Sequence, residues 1–224
     1  MVKQKWQQRV SFYILILSLF IPLTGYAASL LEAARDGDIK TVIDLLDKGT
    51  DVNEQNTYGV TALMAAAFNG RTEMVRLLLD RGAQGDKQNN EGKTLLMDIA
   101  SRSSFTDKTG VAEILLDRGA QINRQDNFGN TALIMAVSTD DTDTNRIKMV
   151  KFLLERGADT YINEALNEAA FSLNSEIAGL LIDKGADIDA AISRLEEYTS
   201  SEDVDATEQF MATEGIRMLK EMKR

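Results

Sequence analysis

The 224-residue sequence predicts an all-α repeat fold, a solenoid of five stacked units closed by a degenerate C-terminal helical cap. Three observations predict it. A five-residue signature recurs down the chain: Leu46-Asp47-Lys48-Gly49-Thr50, Leu79-Asp80-Arg81-Gly82-Ala83, Leu116-Asp117-Arg118-Gly119-Ala120, Leu154-Glu155-Arg156-Gly157-Ala158 and Ile182-Asp183-Lys184-Gly185-Ala186. Its glycines are spaced 33, 37, 38 and 28 residues apart, a period at which each unit is too small to bury its own apolar face and is completed by its neighbours. A second block keeps the same phase: Gly59-Val60-Thr61-Ala62-Leu63-Met64, Gly92-Lys93-Thr94-Leu95-Leu96-Met97 and Gly129-Asn130-Thr131-Ala132-Leu133-Ile134. Finally, Val75, Leu78 and Leu79, like Val111, Ile114 and Leu115, sit at i, i+3 and i+4. That spacing gives a helix an apolar stripe that must be buried.

Residues 1–27 carry the pattern of a secretory signal. Lys3, Lys5 and Arg9 form a positive n-region, Val10–Leu23 is an uncharged, mostly apolar run, and Gly25-Tyr26-Ala27 supplies small residues for cleavage before Ala28. The run is shorter than the roughly 20 apolar residues a membrane span requires. No Cys follows it to take a lipid anchor. The expectation is an exported protein, free of the membrane after cleavage. The chain has no Asn-x-Ser/Thr sequon, which favours the bacterial periplasm.

The repeat units are expected at 28–55, 56–88, 89–125, 126–160 and 161–189. Ser29-Leu30-Leu31-Glu32 matches a capping box and starts the first helix. The signature glycines supply the left-handed residue that ends a helix without a Cβ clash. Residues 190–224 are expected to be capping helices: Ile188-Asp189-Ala190-Ala191-Ile192 echoes Ile162-Asn163-Glu164-Ala165-Leu166, which starts a degenerate sixth unit at Asp189. After the polar turn Ser200-Ser201-Glu202-Asp203, Asp205-Ala206-Thr207-Glu208 opens a last helix running to Met222. Its apolar side is expected to hold Met211, Ile216, Met218, Leu219 and Met222. A solenoid needs an end unit with a polar outer face.

These two blocks, recurring in register over about residues 28–189, resemble the ankyrin repeat, whose pattern runs G-x-T-P-L-H-x-A-A and ends L-L-x-x-G-A-D. The resemblance implies that each unit is a β-turn finger followed by two antiparallel helices. The family's Pro is replaced by Ala62, Leu95 and Ala132 and its His by Met64, Met97 and Ile134. The polar tie that Thr and His make between repeats is thereby lost, and apolar contact is expected to replace it. The resemblance also implies a protein-binding surface at the finger tips and the exposed ends of the inner helices. By position it selects Tyr58, Val60, Phe68, Asn69, Arg102, Asn127 and Phe128 as partner-contacting residues. Tyr58, Phe68 and Phe128 lead this set, expected as one apolar strip, because aromatic side chains are typical interface anchors.

The spacing breaks in three places. Extra residues fall at Ser101–Thr109 and Ser138–Asn145, between the two helices of a unit, and such insertions map to loops on one side of a solenoid. Conversely, Gly157 runs almost directly into Glu164-Ala165-Leu166, so the finger there is truncated.

Composition excludes much chemistry. The chain has no His and no Cys, which removes the usual general base, the thiol nucleophile, disulfides and most zinc sites. Glu91-Gly92-Lys93-Thr94 lacks the first glycine of a phosphate loop, whose place Lys87 takes. Asp141-Thr142-Asp143-Thr144-Asn145 starts like a calcium loop, but Arg146 and Phe152 stand where its glycine and closing Glu belong. No enzyme activity, cofactor or metal is expected. Loss of Lys3, Lys5 and Arg9 from 25 basic residues leaves 22 against 35 acidic. Such a surface repels nucleic acid and favours a basic protein partner. The expected function is an exported interaction module that binds a protein through its concave face and inhibits or neutralises it, as an immunity protein does. The alternative is a periplasmic adaptor that assists a resident enzyme such as a catalase.

Overall fold

The computed structural model describes residues 29–102, 108–138, 144–201 and 204–224, and among these there are twelve helices. They fall in pairs: α1 (Leu30–Asp36) with α2 (Ile39–Asp47), α3 (Ala62–Phe68) with α4 (Thr72–Asp80), and α5 (Leu95–Ser101) with α6 (Thr109–Asp117). Next come α7 (Ala132–Val137) with α8 (Thr144–Glu155), α9 (Ile162–Phe171) with α10 (Ser175–Asp183), and α11 (Ile188–Thr199) with α12 (Ala206–Met222). The signal-like segment 1–27, positions 103–107 and 139–143 of the two enlarged loops, and Glu202-Asp203 lie outside the described residues. None of the described helices is long and apolar enough to cross a membrane.

The first helix of each pair is the inner one. Ser29, Thr61, Thr94 and Thr131 each accept a hydrogen bond from a backbone N–H three residues on, satisfying a donor that has no intrahelical partner. Ser29 and Glu32 complete the expected capping box. In α3 six of the seven residues are buried, Ala65, Ala66 and Ala67 among them. Short side chains there let consecutive inner helices stack closely, α1 on α3, α5 on α7, α7 on α9 and α9 on α11. The outer helices bury one stripe each: Met74, Val75, Leu78 and Leu79 in α4, and Val111, Ala112, Ile114 and Leu115 in α6. One continuous apolar core runs from Leu30 to Leu219.

Where the Thr–His tie is lost, Met64, Met97 and Ile134 are buried in the core as expected, and a polar ladder joins the units as well. Gln55 donates from Nε2 to the carbonyls of Gly59 and Gln88 (2.7 and 2.8 Å), and Gln88 repeats this toward Gly92 and Gln125. Outside the core, the recurring signature explains itself: Arg81 reaches back to Asp47 (3.1 Å), Arg118 to Asp80 (2.7 Å) and Arg156 to Asp117. Each Arg pairs with the acidic residue of the preceding copy. These pairs are exposed and individually contribute little, about 0–1 kcal/mol each.

The cap differs from expectation in two details. Its first helix begins at Ile188 with Asp187 as N-cap, so a boundary at 189/190 would cut α11. In α12 the buried positions are Ala212, Gly215 and Leu219, while Met211, Ile216 and Met218 are only half-buried and Met222 is exposed. The reason is close crossing: a Cβ on Gly215 would stand 2.5 Å from the Ala170 carbonyl oxygen, so small residues must form the contact. Asp205 caps α12, and Glu208 turns away to accept the Tyr198 hydroxyl at 2.9 Å. Burial first, then that bond, pushes the Tyr198 phenol up to about 12.

Candidate protein-binding face

Three fingers precede α3, α5 and α7, and one device shapes all of them. Asn56 Oδ1 accepts the N–H groups of Tyr58 and Val60 (2.9 and 3.0 Å), Asn89 Oδ1 those of Glu91 and Lys93 (2.9 and 3.0 Å), and Asp126 Oδ1 those of Phe128 and Asn130 (2.9 and 2.8 Å). Tyr58, Glu91 and Phe128 are therefore equivalent tip residues, and the sequence signal for them is a short polar side chain two residues earlier, at Asn56, Asn89 and Asp126. Adjacent fingers are tied together. Asn90 donates to the Thr57 carbonyl (2.8 Å) and, through its backbone, to that of Tyr58 (3.3 Å), and Asn127 repeats both bonds toward Asn90 (3.2 Å) and Glu91 (3.2 Å). Gly59 and Gly92 have positive φ, and a Cβ on either would stand 2.7 Å from the backbone nitrogen of the next finger. Only glycine permits that approach.

Tyr58 is 43% and Phe128 60% exposed. Both rings thus project from backbone held by at least two hydrogen bonds. Glu91 separates them at the middle tip and pairs with Lys93 at 2.8 Å. Asn69 and Asn127 are exposed as expected, though their amides already donate to Ala65 and Asn90.

Two expectations are corrected. Val60 is only 8% exposed and belongs to the core, because the finger folds its side chain inward while Asn56 holds its N–H; it offers a partner nothing. Phe68 is half-buried against the core, and the Arg102 guanidinium lies 4.2 Å from its ring centroid. Tyr58, Phe68 and Phe128 therefore do not form one continuous apolar strip. Nor is their neighbourhood acidic: residues 56–130 hold nine acidic and nine basic side chains.

Asp98 lies on α5, four residues before Arg102, the residue that caps its C-terminal end, and makes no ion pair with it. Burial pushes the Asp98 carboxyl up to about 6, against the opposing pull of Arg102 and Lys93. Burial also lowers Arg102, which Asp98 only partly offsets, and lowers Lys108 in concert with the Arg102 charge. The neighbouring inner helices α3 and α7 carry no ionisable residue, so Asp98 is the one such residue across α3, α5 and α7.

Stacked helix pairs joined by hydrogen-bonded fingers define a repeat solenoid. The family model for ankyrin repeats (3 copies) matches residues 30–126 and 104–192. The chain belongs to the ankyrin-repeat family, whose members bind protein partners. No curated protein matches it.

Proposed function

We propose that this chain binds a protein partner through its concave face, with Tyr58 and Phe128 as the anchors, and that it inhibits or neutralises that partner after export. The observation that carries the reading is the exposure of two aromatic tips on fingers already locked by Asn56, Asp126 and the inter-finger amides. Large rings on rigid backbone lose little conformational freedom on binding, and preorganisation of this kind raises affinity. Asn69 and Arg102 flank them at the inner-helix ends, and Asn127 adjoins the Phe128 tip. Export is supported by the charged n-region and apolar run before Ala28.

The test is to recover the partner by cross-linking in the producing cell, purify it, and measure its affinity for wild type and for Tyr58→Ala with Phe128→Ala. The double variant should keep its helical signal and melting temperature and bind at least tenfold more weakly. Unchanged affinity overturns the concave-face reading. The partner's own activity then separates the roles: an inhibitor lowers it, whereas an adaptor of a resident enzyme would raise or prolong it. N-terminal sequencing of the periplasmic protein should begin at Ala28.

A further inference from the structure

The fifth and sixth units lack the finger that precedes α3, α5 and α7, and the space left open is a groove. It has a volume of about 390 Å³ and lies between α9 and α11. Asn163, Glu164 and Asn167 line one side, Ser193, Arg194 and Glu197 the other, with Ala190 and Ala191 between. Counting back from the Ala169-Ala170 pair, Asn167 occupies the position of Met64 in α3, Met97 in α5 and Ile134 in α7. All three of those residues are buried. A polar side chain has thus replaced an apolar one where the covering finger is absent. Its Oδ1 is buried and has no hydrogen-bond partner, a condition that costs stability unless something completes it.

Charge supplies the second argument. Residues 159–201 hold nine acidic side chains and two basic ones, whereas the fingered stretch 56–130 holds nine of each. Glu196 and Asp189 are paired with Lys220 and Lys223, but Glu164 and Glu197 make no ion pair among the described residues. The groove lies in the most acidic stretch of the chain, and its lining carries two carboxylates, Glu164 and Glu197, against one cation, Arg194.

We propose that this groove takes an extended, arginine- or lysine-bearing segment of the protein partner, its cations beside Glu164 and Glu197 and, once the Asn167 side chain turns outward, a backbone N–H donated to its Oδ1. It is a second contact surface, separate from the aromatic tips, and it rests on the protein-binding reading only in taking the segment to belong to that same partner.

The probe is a capped, fluorescein-labelled Arg-Gly-Arg-Gly-Arg peptide, followed by anisotropy with the full chain at low and physiological salt. Glu164→Gln with Glu197→Gln should weaken binding at least tenfold. Asn167→Met should keep or raise the melting temperature and still weaken binding severalfold, which a purely structural role for Asn167 would not do. Asp44→Asn with Glu54→Gln removes the same charge from the opposite end of the solenoid and should change affinity less than twofold. The proposal is overturned if the peptide does not bind, if the groove variants bind as wild type does, or if the distant pair weakens binding equally. Tyr58→Ala with Phe128→Ala should leave peptide binding unchanged, so failure at the finger tips and failure at the groove are read separately.

Discussion

Arg102 lies over the ring of Phe68, its guanidinium carbon 4.2 Å from the centroid, and so joins the ends of two consecutive inner helices. Two residues selected separately from their repeat positions turn out to contact each other. The contact places a flat cation on the face of a half-buried aromatic ring, an arrangement stabilised by the ring quadrupole. Arg102 follows α5 in extended backbone, so the i, i+4 alignment that pairs charges within a helix does not hold it to Asp98.

The first prediction follows from that pair. In a double-mutant cycle of Phe68→Leu and Arg102→Met, the two changes should be non-additive by about 1 kcal/mol in urea unfolding. Strict additivity would mean that the stacking contributes nothing to stability.

Asp98 makes the fold sensitive to pH. Its folded-state carboxyl is raised to about 6 from an ordinary value of 3.8, with burial the largest cause. A raised carboxyl binds its proton more tightly in the folded state, so stability is lost as pH rises from about 4 through about 6 and is not regained above. Asp98→Asn should therefore stabilise the protein by about 1 to 3 kcal/mol at pH 8 and by almost nothing below pH 4. A gain independent of pH would show that the charge is not its source.

Leu115 is fully buried in the middle of the stack. Leu115→Ala should cost about 2 to 5 kcal/mol through lost burial and the cavity left behind. Because each unit leans on its neighbours, the loss should appear in the whole unfolding transition. A change under half a kcal/mol would place that helix face elsewhere.

Gly92 and Gly119 both have positive φ, but a Cβ at Gly92 would meet the Asn127 nitrogen at 2.7 Å, while at Gly119 nothing lies within 4 Å. Both alanine variants carry the left-handed strain, about 1 kcal/mol. Gly92→Ala must also push neighbouring fingers apart and should cost at least about 1 kcal/mol more than Gly119→Ala. Equal melting temperatures for the two would show that the inter-finger contact is soft.

The sequence by itself determined the repeat, the pairing of helices and their phase. These follow from local chemistry: the i, i+3, i+4 stripes of Val75 and Val111, the capping residues Ser29 and Thr61, and glycine wherever the backbone turns left-handed. Exposed tips at Tyr58 and Phe128 were legible too, since register alone places them. What it could not give is what residues 33 to 39 positions apart do to one another once stacked. The ladder from Gln55 to Gln125, the reach of Arg118 back to Asp80, and the cover of Phe68 by Arg102 all cross from one unit to the next. Position in a motif does not fix side-chain direction: Val60 holds a family contact position and lies in the core. The groove beside Asn167 brings Glu164 of α9 and Glu197 of α11 to one opening, 33 positions apart, and only the stacking of the two helices decides that.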